Sequence, residues 1–363
     1  MSLRVECDLL TGYLGSGKTT LLNAWLRSPL SAGTAVVVNE VGDIGIDQLV
    51  LAQVTDNVML LESGCLCCTL SGTLRETLLD VCATARSRGT ALSRIVVETT
   101  GLAEPLPILH SLLGDKILAD SIALNQVIVT VDGQQGLEQL ATQTESVRQL
   151  AAAECVVITK ADLAPADDLR RLRQAIVSVN PTAVLRESVA GSAADATFTA
   201  AAGVPQRQAL HAAMAATRAE PHDHDHHAHD AHGDGHGHSL FHSRVRTLGF
   251  YIDHAIPWPG LAAWWHLVSN RYGDSLLRGK GLLRMRDAAR PFVFMQTVGK
   301  VFHPPGPVDT WPDSDPRSRL VCIGVDLDPA WLEQSLAALR IDEPGFLPAT
   351  LAEISSFVPT HSE

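Results

Sequence analysis

The chain has 363 residues, 46% of them hydrophobic and 19% charged, which suits a soluble protein of two ordinary domains. Lys and Arg total 28 against 40 Asp and Glu, a net charge of −12; this argues against a nucleic-acid-binding surface, which needs clustered positive charge. No basic leader with an apolar run opens the sequence, and no apolar stretch reaches the ~20 residues that span a bilayer, so a cytoplasmic protein without membrane partners is expected.

In chain order, buried strands are expected at Val5–Leu10, Ala35–Val38, Val58–Leu61, Arg94–Val97, Gln126–Val131 and Cys155–Thr159. Helical stretches at Thr73–Arg86, Gly136–Ala153 and Asp167–Val179 lie between or after them. Near-continuous apolar strands alternating with helices predict a doubly wound, mainly parallel sheet, with ligands at the carboxyl ends of the strands. This α/β domain is assigned to residues 1–189. Residues 190–242 are expected to be a flexible linker, Ala/Ser/Thr-rich at first and almost purely His, Asp, Gly and Ala over Pro221–His238. Residues 243–363 are expected to form a smaller α+β domain, with strands at Arg244–Ile252, Pro291–Val301 and Leu320–Leu327 and helices at Trp258–Arg271 and Pro329–Arg340.

Gly12-Tyr-Leu-Gly15-Ser16-Gly17-Lys18-Thr19 follows the first strand and leads into a helix through Thr20. Glycines let backbone N–H groups turn towards phosphate oxygens, and the helix N-terminus adds positive potential. Lys18 is expected on the β- and γ-phosphates and the Thr19 hydroxyl on Mg²⁺. Glu98-Thr-Thr-Gly101 follows the fourth strand, where Glu98 is suited to hold Mg²⁺ through water and the Gly101 amide to sense the γ-phosphate. Lys18, Thr19 and Glu98 are therefore the expected catalytic groups. Thr159-Lys160-Ala-Asp162 closes the sixth strand. Asp162 can accept both the N1 and N2 hydrogens of guanine while the Lys160 stem covers the ring, which favours GTP, although the usual Asn at the first position is Thr159. Asn39-Glu40-Val-Gly42-Asp43-Ile-Gly45 reads as a mobile acidic loop near Mg²⁺.

Of the seven cysteines, Cys7, Cys82, Cys155 and Cys322 read as buried and inert. Cys65, Cys67 and Cys68 lie within four residues, a spacing that lets thiolates converge on one tetrahedral ion, with Glu40, water or a partner's residue as the fourth ligand. His222, His224, His226, His227, His229, His232, His236 and His238, interleaved with Asp, read as a loose, exchangeable metal store.

Gly12–Thr20, Asn39–Asp47, Glu62–Thr69 with its Cys-x-Cys-Cys, Glu98–Pro105, Thr159–Leu163 and Asn180–Ala183 together resemble the CobW family of P-loop GTPases. Arg278-Gly-Lys280-Gly281, Gln296 and Trp311 resemble that family's C-terminal domain. The resemblance implies a slow GTPase that uses GTP and Mg²⁺ and transfers a metal to a client metalloprotein, with Cys65, Cys67 and Cys68 in the metal-responsive site. Zinc is the expected cargo, with Co²⁺ and Fe²⁺ clients also associated with the family. Asp43 stands where family members often carry Glu. No Arg finger or water-positioning Gln stands out, so a partner or a second protomer in a homodimer is expected to complete catalysis. Two other readings stay open from the residues: a metal buffer independent of nucleotide, and a P-loop kinase. Arg278 and Lys280 read equally as solvated charges or client contacts, and Trp258, Trp264 and Trp265 as a core helix or an aromatic patch.

Overall fold

The computed structural model describes residues 4–38, 59–62, 70–200, 210, 244–273, 275–286, 290–308, 311 and 313–342. Its first domain runs β1 (Val5–Gly12), α1 (Lys18–Leu26), β2 (Thr34–Val38), β3 (Met59–Glu62), α2 (Leu70–Arg88), β4 (Arg94–Glu98), α3 (Pro105–Gly114) and α4 (Lys116–Ser121). It continues with β5 (Ile122–Asp132), α5 (Gly136–Thr142), α6 (Thr144–Ala152), β6 (Cys155–Thr159), α7 (Ala166–Val179), β7 (Val184–Ser188) and α8 (Ala194–Phe198). The strands form one sheet in the order β3-β2-β4-β1-β5-β6-β7, and every pairing in it is parallel. β1 lies between β4 and β5, where the winding reverses, so the crevice at its carboxyl end is the natural ligand site.

Both sheet faces are covered, as the apolar strands require. On one face Leu10, Val36, Val96, Ile128 and Val157 pack against Leu21, Leu22 and Trp25 of α1. On the other, Leu9, Val37, Val97, Val129 and Ile158 pack against α2, α3, α6 and α7.

Three differences from the sequence reading stand out. The helix expected at Gly136–Ala153 is two, because Gln143 is extended (φ −113°, ψ 113°). The prolines at 105 and 107 obscured α3, although Pro105 occupies the first helical turn, where its missing N–H costs nothing. Residues 190–200, expected as the start of a flexible linker, instead carry α8. Phe198 is fully buried and stacks on Trp25 at 5.3 Å, and Gln126 Nε2 donates to Thr197 O at 2.8 Å. Ala193, Ala194 and Thr197 are buried beside Phe198, so small residues and one aromatic together dock the run.

The second domain is an antiparallel sheet of β8 (Val245–Ile252), β9 (Leu276–Arg284), β10 (Phe292–Val298), β11 (Val301–Phe302), β12 (Gly306–Pro307) and β13 (Ser318–Val325), in the order β11-β10-β9-β13-β8 with β12 against β10. β9 was not expected as a strand, and the strand expected at Pro291–Val301 is a hairpin turning at Gly299 (φ 52°). Helices α9 (Trp258–Tyr272) and α10 (Pro329–Ser335) cover one face. There Leu276, Leu283, Val293, Met295, Leu320 and Cys322 pack with Trp264 and Trp331. Trp264 is a core residue whose Nε1 donates to Ser335 Oγ at 3.1 Å, while Trp258 is exposed.

The opposite face rests on the first domain: Leu282, Phe294, Val298, Val321 and Ile323 belong to the same core as α3, α6 and α7. This overturns both surface readings of Arg278 and Lys280, each 1% exposed. Arg278 Nη2 pairs with Glu154 Oε1 at 2.5 Å and Lys280 Nζ donates to Thr182 O at 3.2 Å, both across the domain seam. Glu154 also accepts from Val127 N at 3.0 Å, and Thr247 Oγ1 donates to Val179 O at 2.7 Å. Burial, with Arg278 beside it, pulls Lys280 down to about 7.

Cys7, Cys82, Cys155 and Cys322 are free and buried. Burial pushes the thiols up, Cys155 to about 11 and Cys322 to about 12, which keeps them unreactive. Among the described residues no helix is long and apolar enough to cross a membrane.

Candidate functional site: a phosphate cradle at the sheet's switch point

β1 ends at Gly12, whose φ of 143° and crowding forbid a side chain: a Cβ there would lie 2.4 Å from Thr130 O. Gly15 and Gly17 are left-handed (φ 72° and 85°), and Ser16 Oγ bonds Thr130 Oγ1 at 2.7 Å, pinning the loop to β5. Gly17 begins α1 with no side-chain cap. The first N–H groups of the helix are thus offered to an anion, with the helix dipole behind them. Lys18 Nζ donates to Gly12 O at 2.9 Å and Tyr13 O at 3.3 Å, arching over the loop. Thr20 is exposed on the first turn.

Thr19 Oγ1 donates to Glu98 Oε1 at 3.0 Å, bringing together the residues expected on Mg²⁺. The Glu98 carboxylate is buried at the end of β4. Beyond it, Thr99 Oγ1 donates to Thr11 Oγ1 at 2.7 Å. Gly101 approaches the cradle so closely that a Cβ would sit 2.6 Å from Leu14 N.

The loop after β6 buttresses the cradle from the other side. Thr159 Oγ1 donates to Ser16 O at 2.7 Å, and its side chain packs about Gly17, whose Cβ would meet Thr159 at 3.2 Å. Lys160, left-handed at φ 51°, donates to Gly15 O at 3.0 Å and Asp132 Oδ2 at 2.6 Å. Asp162 is exposed in the following turn, open to a base.

Sequence reasoning missed several supports. Asp132, buried at the end of β5, accepts from Gln134 N and Gln135 N as well as Lys160. An acid closing an apolar strand, as Glu98 does, was the available signal. Gln149 on α6 donates to Gly101 O at 3.1 Å and Ala103 O at 3.0 Å, and nothing in a helical pattern distinguishes it. Gly191, after β7, packs against α1: a Cβ would lie 2.4 Å from Ala24 Cβ.

Glu40, Cys65, Cys67, Cys68, His222, His224, His226, His227, His229, His232, His236 and His238 lie outside the described residues, as do Asp43 and the rest of the acidic loop. Among the described residues no three His, Cys, Asp or Glu side chains gather as a metal site. β2 and β3 end at Val38 and Glu62, two and three residues before Glu40 and Cys65. Both strands lie on the Glu98 side of β1.

Residues 7–186 match the family model described as CobW/HypB/UreG, nucleotide-binding domain, and residues 245–340 match the cobalamin synthesis protein cobW C-terminal domain. The chain is 31% identical over 179 residues to the zinc chaperone YjiA of Escherichia coli, covering 49% of this chain and 56% of that protein. It is 29% identical over 195 residues to zinc-regulated GTPase metalloprotein activator 1 of Schizosaccharomyces pombe, covering 52% and 46%. To the zinc chaperone CobW of Pseudomonas aeruginosa it is 31% identical over 212 residues, covering 50% and 55%. The chain thus spans about half the length of the curated relatives it matches. The crystal structure of Zn(II)-bound YjiA GTPase from E. coli superposes with a TM-score of 0.64 at 21% identity, over 93% of this chain and 99% of that one, which shows a shared fold.

Proposed function

Given that the chain belongs to the CobW family, we propose that it is a cytoplasmic GTPase coupling nucleotide state to the binding of a transition metal, zinc first, and its delivery to a client metalloprotein. The observation that carries this reading is the convergence of three loops, after β1, β4 and β6, on one cradle, with Thr19 hydrogen-bonded to Glu98 at its mouth. The donor set fits Mg²⁺-GTP: glycines that exclude side chains, an uncapped helix N-terminus, a lysine, and a hydroxyl beside a buried carboxylate. Mg²⁺ would be held by Thr19 and, through water, Glu98, and it supplies charge neutralisation when bound.

Within this reading Lys18 exchanges the carbonyls of Gly12 and Tyr13 for β- and γ-phosphate oxygens, and its charge stabilises the phosphoryl group in flight. Gly101 N–H reports the γ-phosphate, and Asp162 accepts from guanine while the Lys160 stem lies along the ring. Cys65, Cys67 and Cys68, with Glu40, take the metal, and the His222–His238 tract collects ions for that site. A partner or second protomer supplies the remaining catalytic group, and neither nucleic acid nor a membrane is a partner. The family likenesses to proteins named zinc chaperones and a zinc-regulated GTPase support zinc over Co²⁺ and Fe²⁺.

The test is a chelator-competition titration of Zn²⁺ and Co²⁺ with GDP and with a non-hydrolysable GTP analogue, on wild type and a Cys65/Cys67/Cys68→Ala variant. One tight site that changes with nucleotide and vanishes in the variant is expected. Affinity indifferent to nucleotide would sink the coupling by linkage and leave a GTP-binding protein with an independent metal store.

A further inference from the structure

The loop from Thr99 to Glu104 lies between the phosphate cradle and two helices that carry the second domain. Its cradle side is Gly101 against Leu14 and Thr99 against Thr11. On its other side Gln149, fully buried on α6, donates to both Gly101 O and Ala103 O. Gln149 Oε1 is buried with no hydrogen-bond partner among the described residues, so the side chain is fixed by its two donations alone. One residue earlier, Arg148 pairs with Glu104 at the end of the same loop.

The same helix ends at the domain seam. Asn180 Nδ2 donates to Leu150 O, Ala151 O and Ala153 O, which locks its last turn. Glu154, five residues after Gln149, then meets Arg278 of β9 and Val127 N of β5. The loop itself runs on into α3, and there His110 abuts the β10–β11 turn: a Cβ on Gly299 would lie 2.3 Å from His110 Nε2. Any shift of the loop would therefore be applied to a short helix that leads, two residues past its end, to a buried ion pair with the second domain. Close-packed elements of this kind move as units, because interiors do not deform continuously.

We propose that Gln149 is a positioning residue that ties the γ-phosphate-sensing loop to the second domain, with α6 and the Glu154–Arg278 pair as the rigid connection. This rests on the GTPase reading above and adds to it the route by which the second domain registers nucleotide state. Coupling is reciprocal in binding free energy, so disturbing the seam at Glu154 alters nucleotide discrimination at the cradle.

The experiment uses the full chain as wild type, Gln149→Leu, Gln149→Met and Glu154→Gln. It measures fluorescent GDP binding, kcat and KM for GTP, melting temperature, and hydrogen–deuterium exchange of residues 276–284 with GDP and with a non-hydrolysable GTP analogue. In wild type, exchange of that strand is expected to differ between the two nucleotides. Gln149→Leu is expected to abolish that difference and lower kcat about tenfold at unchanged KM, the loss of one or two hydrogen bonds made to the loop in its active position. Glu154→Gln is expected to shrink the exchange difference and shift the ratio of GDP to GTP-analogue affinity by about threefold or more, within the usual range of site-to-site coupling. If Gln149→Leu melts too low to assay, Gln149→Met and Glu154→Gln decide. Wild-type kcat and an intact exchange difference in the Gln149 variants would overturn the proposal. So would a wild type that hydrolyses GTP with identical exchange in both states, and that result leaves the GTPase reading standing. A wild type that binds no guanine nucleotide sinks both.

Discussion

The phosphate cradle and the domain seam are both built from basic side chains near glycines and a buried glutamate, yet they do opposite things with them. At the cradle, Lys18 rests on backbone carbonyls of the loop it guards, Gly12 and Tyr13, partners that an arriving phosphate can replace, while Lys160 bridges Gly15 O and the buried Asp132 carboxylate. At the seam, Arg278 and Lys280 are sealed from water on β9 and spend their charge on Glu154 and Thr182. The lesson is that Gly-Lys in a strand-to-helix turn and Arg-Gly-Lys-Gly inside a strand are different objects. The first leaves helix N–H groups open to a ligand, whereas the second lets two basic stems lie between packed layers.

The largest effect that would break this contrast is at the seam. Arg278→Met strands the Glu154 carboxylate in the interior and is expected to cost about 3–5 kcal/mol of unfolding free energy by denaturant titration. A double variant with Glu154→Leu should recover much of it, because two apolar groups can replace a buried ion pair. Next is Lys18→Ala, expected to lower GTP turnover by roughly 10²–10³-fold while leaving the melting temperature near wild type. Equal losses of stability in the two variants would erase the distinction between a working and a structural cation. Thr159→Val removes the hydroxyl that braces Ser16 and is expected to weaken GDP binding by about tenfold, the worth of a hydrogen bond or two, read by fluorescent nucleotide titration.

The smallest effect is a slope. Lys280 is held near 7, well below its ordinary value, by burial and by Arg278, with Glu154 opposing. Between about pH 7 and 10 the unfolded chain therefore binds the proton that the folded one lacks, and stability rises with pH across that window. Lys280→Met should flatten that rise relative to wild type in melting curves taken at several pH values. An unchanged slope would mean that the ammonium is not buried in solution.

What could be read from the sequence follows from how local the chemistry is. The cradle occupies eight consecutive residues, and each restricts its neighbours by backbone geometry, so Gly12–Thr19 announces itself. The position of Glu98 was legible because it closes an apolar strand at a known end of a parallel sheet, and that of Asp162 because it lies in the turn that follows such a strand. The seam was not, because β9 is buried on both faces and lacks the alternation that marks a half-exposed strand. Arg278 and Lys280, the only charges in the interior of Leu276–Arg284, look like surface residues until the opposing domain is in place. Gln149 was invisible for a related reason: a glutamine in a helix is ordinary, and only the carbonyls of a distant loop give it a task. Residues 190–200 misled through composition, since small residues suit both a linker and a closely packed turn.

The inner strands of the second sheet, β9 and β13, are covered on one side by α9 and α10 and on the other by the first domain, so this sheet behaves less like a module hung on a tether than like one half of an obligate heterodimer that happens to share a chain. Leu210, in the stretch of chain that joins the two domains, is itself fully buried in the core they share, so the contact surface sets the geometry of the assembly. A gene cut within that stretch should yield two polypeptides that copurify when made together, while the second made alone precipitates.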